Sequence, residues 1–156
     1  MAAVIAVLSL TVAGAAWAVT KIGTNGANTL VGSSASDELY GLGGDDILRG
    51  LESGDYLSGG LDDDTEYGGS GNDDVYGGRG DDDVRGGGDS DYAEGQGGRD
   101  IIRGGDANDE LDGSDGVEGN DFVTGGPGTS DYCEADSEDE IDFSSCEDVQ
   151  IGAPVL

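Results

Sequence analysis

Aspartate recurs every nine residues through most of this chain, each time five residues after a glycine. The clearest stretch runs from Gly68 to Arg85, where GGSGNDDVY is followed by GGRGDDDVR. Both halves fit the pattern G-G-x-G-x-D-x-U-x, in which U is apolar. A glycine-rich turn points backbone carbonyls inward, and the aspartate adds an anionic oxygen beside them. Carboxylate and carbonyl oxygens without nitrogen or sulfur suit Ca²⁺, so the spacing predicts calcium sites in the turns.

The nine-residue register runs unbroken from Gly23 to Asp112 and contains ten repeats, each beginning with glycine. Position 6 is Asn28 in the first repeat and aspartate in the other nine. A solvated linker that is merely rich in Gly and Asp would not place aspartate at the same position of each repeat. The predicted calcium ligands are these aspartates and one more beyond the unbroken register: Asp37, Asp46, Asp55, Asp64, Asp73, Asp82, Asp91, Asp100, Asp109 and Asp121.

The x-U-x triplet predicts a short strand whose central residue points inward and whose neighbours point outward. One turn and one strand make half a coil, so two repeats close a coil. The expected fold is therefore all-β: a parallel β-roll of nonapeptide repeats with a C-terminal cap. The inward column is Leu30, Leu39, Leu48, Leu57, Glu66, Val75, Val84, Ala93, Ile102 and Leu111. Because a carboxylate is costly in so thin a core, we expect a local defect at Glu66, covered by Tyr67.

The composition indicates a chain that needs cations in order to fold. Its 156 residues allow one domain, and they carry 35 Asp and Glu against 6 Lys and Arg, a net charge of −29. Such a chain repels itself and has few large apolar groups to offset chain entropy. The charge argues against nucleic acid or an anionic membrane surface as a partner. With no histidine, the commonest general base and zinc ligand are missing, and we expect no enzymatic activity.

Residues 2–19 form an uncharged apolar run that ends in Ala16-Trp17-Ala18. This small-x-small ending predicts a signal peptide over residues 1–18, cleaved after Ala18, and hence a secreted, extracellular protein that has no membrane contact after cleavage. No Lys or Arg precedes the run. The alternative is an uncleaved membrane anchor, because the run is close to the ~20 residues that span a bilayer.

Beyond Asp112 the repeat weakens. Residues 113–115 are an insertion, the register resumes over 116–124 with Asp121 at position 6, and over 125–133 either Ser130 or Asp131 takes the acidic place. We therefore assign the β-roll to residues 19–133. Residues 134–156, which become more apolar towards their end, are assigned to a C-terminal cap that covers the last open coil.

Over residues 23–133 the repeats resemble the RTX family, known for hemolysin-type calcium-binding repeats. The resemblance implies a parallel β-roll in which each Ca²⁺ lies between the turns of repeats n and n+2. On one edge these turns carry Asn28, Asp46, Asp64, Asp82 and Asp100, and on the other they carry Asp37, Asp55, Asp73, Asp91 and Asp109. Five turns leave four gaps on each edge, which implies several ions, at most about eight, and folding linked to calcium.

The ending from Gly125 to Cys133, with Cys146 and Glu147 after it, is similar to that of secreted Gram-positive members of the family. The resemblance and the export signal imply a disulfide between Cys133 and Cys146, which closes a loop of about fourteen residues and contributes roughly 3 kcal/mol. The alternative is two free thiols.

Residues eighteen apart share a face of the roll, and one such column reads Val31, Arg49, Tyr67, Arg85 and Arg103. The opposite face carries tyrosines and acidic residues instead. This arrangement suggests a two-faced roll that stacks on itself or holds an anionic cell-surface glycan. The alternative is that the arginines relieve carboxylate repulsion and stack on Tyr67.

Together these features predict a secreted calcium-binding repeat protein that folds on binding several Ca²⁺ ions and has a structural or adhesive role. The alternative is an accessory calcium-binding module of an extracellular hydrolase or toxin system. A calcium buffer or secretion aid without a partner also fits. An ice- or crystal-surface binder fits less well, because only Thr29 and Thr65 place threonine at outward strand positions of the ten repeats.

Overall fold

In the computed structural model of the chain, the described residues are 5–6, 16–115, 120–137, 139–142 and 144–152. All of their regular structure is β-strand, which confirms the predicted all-β class. Most of the predicted signal peptide lies outside the described residues. Within the described ranges, no helix is long and apolar enough to cross a membrane.

The strands are short and follow the nine-residue period. In chain order they are β1 (Ile5–Ala6), β2 (Thr20–Ile22), β3 (Thr29–Val31), β4 (Glu38–Tyr40), β5 (Ile47–Glu52), β6 (Tyr56–Leu61), β7 (Thr65–Ser70), β8 (Asp74–Arg79), β9 (Asp83–Gly88), β10 (Tyr92–Gly97), β11 (Ile101–Gly105), β12 (Glu110–Asp112), β13 (Phe122–Thr124), β14 (Tyr132–Ala135), β15 (Glu140–Ile141) and β16 (Asp148–Ile151).

Alternate strands form two sheets. Sheet A has the order β1-β2-β4-β6-β8-β10-β12-β14-β16, and sheet B has the order β15-β13-β11-β9-β7-β5-β3. Neighbouring strands are parallel except for β1, which pairs antiparallel with β2. In the ten regular repeats, residues paired on neighbouring strands are eighteen positions apart in the sequence, as in the pairs Leu39–Leu57 and Leu57–Val75. Two repeats therefore make one coil, which confirms the predicted parallel β-roll.

The core is a single column of inward side chains from each sheet. The position-8 residues Leu30, Leu39, Leu48, Leu57, Val75, Val84, Ala93, Ile102 and Leu111 are all buried. The column continues through Val123, Cys133 and Ile141. Each coil thus contributes only two central side chains, so the apolar core is thin.

The defect expected at Glu66 is absent, and that expectation was wrong. Glu66 is fully buried, and β7 continues through it with Glu66 paired to Leu48 and Val84. Tyr67 does not cover it. The tyrosine points to the outer face, where its ring lies between the guanidinium groups of Arg49 and Arg85, 5.4 and 4.9 Å from its centroid. A glutamate side chain is long enough to lie along the inner face without displacing the backbone.

The last coils are closed by a disulfide. Cys133 and Cys146 are bonded, with their Cα atoms 5.9 Å apart, as the resemblance implied. Cys133 stands in the core column of sheet A between Leu111 and Val149. Beyond it, β15 and β16 extend sheets B and A by one strand each. The bond therefore ties the final turn to the core.

Candidate metal sites

The position-6 residues form two ladders, one along each edge of the roll. The first-edge ladder leads into the strands of sheet B and consists of Asn28, Asp46, Asp64, Asp82, Asp100 and Asp121. The second-edge ladder leads into sheet A and consists of Asp37, Asp55, Asp73, Asp91, Asp109 and Asp131. All of them are buried, and no aspartate among them is more than 4% exposed. Every predicted ligand is therefore brought into one of two continuous rows.

One carboxylate oxygen of each ladder aspartate is used to join the coils. The backbone N–H of Asp64 donates to Oδ1 of Asp82 over 2.8 Å, and the N–H of Asp82 donates to Oδ1 of Asp100 over 2.9 Å. The same bond recurs at every step of both ladders, from Asn28 to Asp121 and from Asp37 to Asp131, with lengths of 2.6 to 3.0 Å. The three-residue insertion does not interrupt the row.

In every ladder aspartate except Asp37, the other carboxylate oxygen has no hydrogen-bond partner; Oδ2 of Asp37 accepts the N–H of Ser33. Oδ2 is buried and unpartnered in Asp46, Asp55, Asp64, Asp73, Asp82, Asp91, Asp100, Asp109, Asp121 and Asp131. It points into the turn, against the position-1 glycine. A Cβ on Gly77 would lie 2.6 Å from Oδ2 of Asp82 and 2.9 Å from the carbonyl oxygen of Gly95 in the next coil. A carboxylate oxygen and a carbonyl oxygen thus border the same space, which only glycine leaves open.

Burial raises the pKa of eight of these carboxyl groups well above the ordinary value of 3.8. It reaches about 8 for Asp91, about 7 for Asp64, Asp73, Asp82 and Asp121, and about 6 for Asp55, Asp100 and Asp109. Loss of water is the largest cause in each case. The N–H donated to Oδ1 lowers the pKa, and neighbouring carboxylates raise it. Only a proton or a metal cation could compensate such buried carboxylates.

The donor set is suited to a hard cation. The unpartnered atoms of the ladders are all oxygens, which is the ligand type that Ca²⁺ prefers. In the described part of the chain, no three Asp, Glu or Cys side chains converge closely enough to hold a metal alone. A bound ion would therefore take part of its ligands from backbone carbonyls, as Ca²⁺ commonly does. The residues present fit this ion.

Sequence reasoning missed parts of the site. At the weak repeat 125–133 the structure selects Asp131 over Ser130, because Oδ1 of Asp131 accepts the N–H of Asp109 at 2.9 Å. Asp139 then accepts the N–H of Asp121 at 3.3 Å, and Glu147 accepts that of Asp131 at 2.8 Å. Both ladders thus run on past the recognisable repeat. In the regular repeats the ladder aspartate lies two residues before the inward residue of the strand. Asp131 has the same spacing to Cys133, and this spacing was the sequence signal that could have identified it.

The two outer faces differ, as the eighteen-residue columns predicted. On sheet B, Arg85 and Arg103 both bind Asp83, at 2.5 and 2.6 Å, in addition to the stacking of Arg85 on Tyr67. On sheet A the tyrosines of two columns alternate and form a diagonal row that the column analysis missed. The ring centroids of Tyr40, Tyr56, Tyr76 and Tyr92 lie 5.5, 5.3 and 5.7 Å apart in that order.

The fold and the ladders together define a class: a parallel β-solenoid whose turns present stacked carboxylate and carbonyl oxygens along both edges. The model of one protein family matches the chain, that of the RTX calcium-binding nonapeptide repeat, over residues 22–57, 50–84, 58–93 and 85–117. The chain belongs to this family, whose repeats bind Ca²⁺. Comparisons with curated proteins and with solved structures found no match.

We expect the position-1 glycines to tolerate no side chain. Gly77→Ala places a methyl group against Asp82 Oδ2 and the Gly95 carbonyl, and we expect it to lower the free energy of unfolding by about 1–3 kcal/mol in saturating Ca²⁺. The matched control is Gly26→Ala, because a Cβ there meets nothing within 4 Å. We expect that change to be neutral or stabilising by about 0.5–1 kcal/mol. Urea unfolding followed by circular dichroism measures both; equal effects would contradict the site geometry.

We also expect acid to favour the calcium-free fold. The folded-state pKa values lie above the unfolded value of 3.8, so the folded form binds more protons. The stabilising contribution is complete below the unfolded pKa and is lost as the pH rises through about 6 to 8. In excess chelator, lowering the pH from about 8 to about 5 is expected to increase strand content and reduce the hydrodynamic radius. A chain that expands over this range would contradict the assignment.

Proposed function

We propose that the protein is a calcium-dependent β-roll that acquires its fold by binding Ca²⁺ in the gaps along both edges. The observation that carries the proposal is the row of buried, unpartnered Oδ2 atoms on stacked aspartates. An unpaired buried carboxylate is unfavourable by several kcal/mol, and a divalent cation between successive turns removes that penalty at each gap.

The proposed ligands are the ladder aspartates, with backbone carbonyls of the same turns. The ten regular repeats offer about eight gaps, as expected from the resemblance. The continuation of the ladders to Asp121 and Asp131 adds one further gap on each edge. Eight ions would cancel about sixteen negative charges, more than half of the net charge of −29. The first gap of the first edge is expected to be weaker, because Asn28 there replaces a charged ligand.

We propose an extracellular location and a structural or adhesive role. Two features support secretion: the apolar run with its Ala16-Trp17-Ala18 ending, and the buried disulfide, which persists in oxidising compartments. Weak extracellular calcium modules work at about 10⁻⁴–10⁻³ M, so the calcium supply outside cells would be sufficient for folding. The alternative is an accessory module of an extracellular hydrolase or toxin system. In that case calcium-loaded protein would alter the activity of a separate catalytic chain.

The calcium requirement is tested by adding and removing the ion. In excess chelator at neutral pH we expect loss of strand signal in circular dichroism and an expanded hydrodynamic radius, both reversed by Ca²⁺. Mg²⁺ is the control ion, and it is expected to restore less structure because it demands a smaller, octahedral site. A strand-rich, compact molecule in chelator at neutral pH would refute the proposal.

The ladder is tested by one isosteric change. Asp82→Asn removes charge from two neighbouring gaps, and we expect the calcium concentration at the folding midpoint to rise by roughly three- to tenfold. The matched control is Asp74→Asn, since Asp74 lies at an exposed, outward position of β8. That change is expected to leave the midpoint nearly unaltered. If both variants shift it equally, net charge and not ligation controls folding.

An adhesive role is supported by the two unlike faces. The guanidinium groups of Arg49 and Arg85 stack on Tyr67 on one face, and the tyrosine row with its acidic neighbours lies on the other. Opposite charge on the two faces would let molecules stack, and the basic face would suit an anionic glycan. Replacing Arg49, Arg85 and Arg103 by Gln is expected to reduce self-association in sedimentation or retention on an anionic glycan column. Unchanged behaviour in both assays would exclude an adhesive role for this face.

A further inference from the structure

Glu66 is the one carboxylate at the central strand position, position 8, of the ten regular repeats. It is fully buried, and neither Oε1 nor Oε2 has a hydrogen-bond partner. The equivalent residues on the neighbouring strands of sheet B are Leu48 and Val84, whose apolar side chains need no hydrogen-bond partner. A leucine at this position would complete the apolar column. The buried carboxyl group therefore needs a proton or a cation to neutralise its charge, and the apolar side chains around it supply neither.

The side chain is directed towards the first edge. Asp64 lies immediately before β7 and two residues before Glu66, and both side chains are buried. A Cβ on Gly59 would overlap Oε1 of Glu66 and lie 2.5 Å from Oδ2 of Asp64 and 2.7 Å from the carbonyl oxygen of Gly77. Three oxygens from two successive coils thus border one space. Oxygens up to about 5 Å apart can share one Ca²⁺, because each Ca–O bond is 2.3–2.6 Å long.

The geometry places the carboxyl group at one particular gap. Oε1 of Glu66 and Oδ2 of Asp64 border the space at Gly59 together with the carbonyl oxygen of Gly77, which opens the repeat that carries Asp82. These two aspartates are adjacent in the first-edge ladder, since the N–H of Asp64 donates to Asp82. Glu66 therefore lies on the core side of the gap between them.

Charge counting shows what Glu66 would change there. If the ladder aspartates alone are counted, each added coil brings one carboxylate and one divalent ion to an edge, which leaves an excess of one positive charge for each gap along the row. Among the ten regular repeats, only the gap between Asp64 and Asp82 has a further carboxylate on its inner side, and this carboxylate lowers the excess. Calcium affinity rises with the charge of the ligand set and the rigidity of the site. A fully buried side chain on a central strand meets both conditions.

We propose that Glu66 is an additional carboxylate ligand of the Ca²⁺ bound between Asp64 and Asp82, and that this gap is the tightest site of the roll. The inference rests on the calcium-dependent fold proposed above. It assigns an inner-face residue to the ion, where the repeat pattern supplies ligands only from the turn. Glu66 then interrupts the apolar column because it serves the metal site and not the core.

The test compares calcium binding by the full chain and by three variants. In calorimetric titrations with Ca²⁺ we expect Glu66→Gln and Glu66→Leu to weaken the tightest binding constant about tenfold or more. Glu66→Leu also restores the apolar column, so it stays folded if Glu66→Gln does not. The matched control is Glu52→Gln, which removes the same charge from an exposed position on β5 and is expected to leave that constant unchanged.

Infrared spectroscopy of the calcium-loaded protein gives a second readout. A ligating Glu66 is ionised, so the spectrum would lack the C=O band of a protonated carboxylic acid. A neutral core Glu66 would show that band, and Glu66→Gln would remove it. Unaltered binding constants in both Glu66 variants, or that band in the loaded protein, would overturn the inference while leaving calcium-dependent folding intact. A wild-type chain that binds no Ca²⁺ would instead refute the proposed function.

Discussion

The burial of stacked carboxylates, which removes them from water and sets them side by side, is the constraint on which the rest of the structure depends. Each coil adds one buried aspartate to each edge, roughly 4.8 Å from the last. At an effective dielectric constant of about 20, two such charges repel by about 3–4 kcal/mol, and the repulsion accumulates along a row. The N–H groups donated to Oδ1 offset only part of it. Ca²⁺ bound in the turns, as proposed, would remove this repulsion and so allow an acidic chain to keep the shape of the roll.

The thin core is a physical reason for the proposed dependence of folding on calcium. A coil of two repeats contributes one central side chain from each sheet, such as Leu48 and Leu57, and surrounds them with glycine-rich turns. Glycine loses more backbone freedom on folding than any other residue, so the turns that make room for the ion also oppose order without it. Burial of apolar surface and occupation of the turns must therefore act together. Order at one coil provides half of the binding site for the next, so folding and binding should both spread along the roll.

Much of this could be predicted from the sequence, because a strict nine-residue period determines the strand, the turn and the direction of each side chain. The ladder members, the inward column and the eighteen-residue pairing all follow from that period. The period is interrupted at residues 113–115 and weakens after residue 124, so the choice of Asp131 over Ser130 needed the observed stacking of the turns. The course of the Glu66 side chain and the diagonal row of tyrosines were also inaccessible. A repeat places each Cα and Cβ, but it does not state which way a long side chain turns.

Because its coils are nearly identical, the roll could assemble with its strands out of register. Since every coil bonds to its neighbour in the same way, a strand could dock one whole turn out of step and still satisfy most of its contacts. Three features break this translational symmetry: the acid at Glu66, the insertion at residues 113–115 and the bond between Cys133 and Cys146. Each of them occurs at one place along the axis, so a strand shifted by one coil would no longer match its neighbour there. We therefore expect these irregularities to favour one alignment of the coils over several nearly equivalent ones.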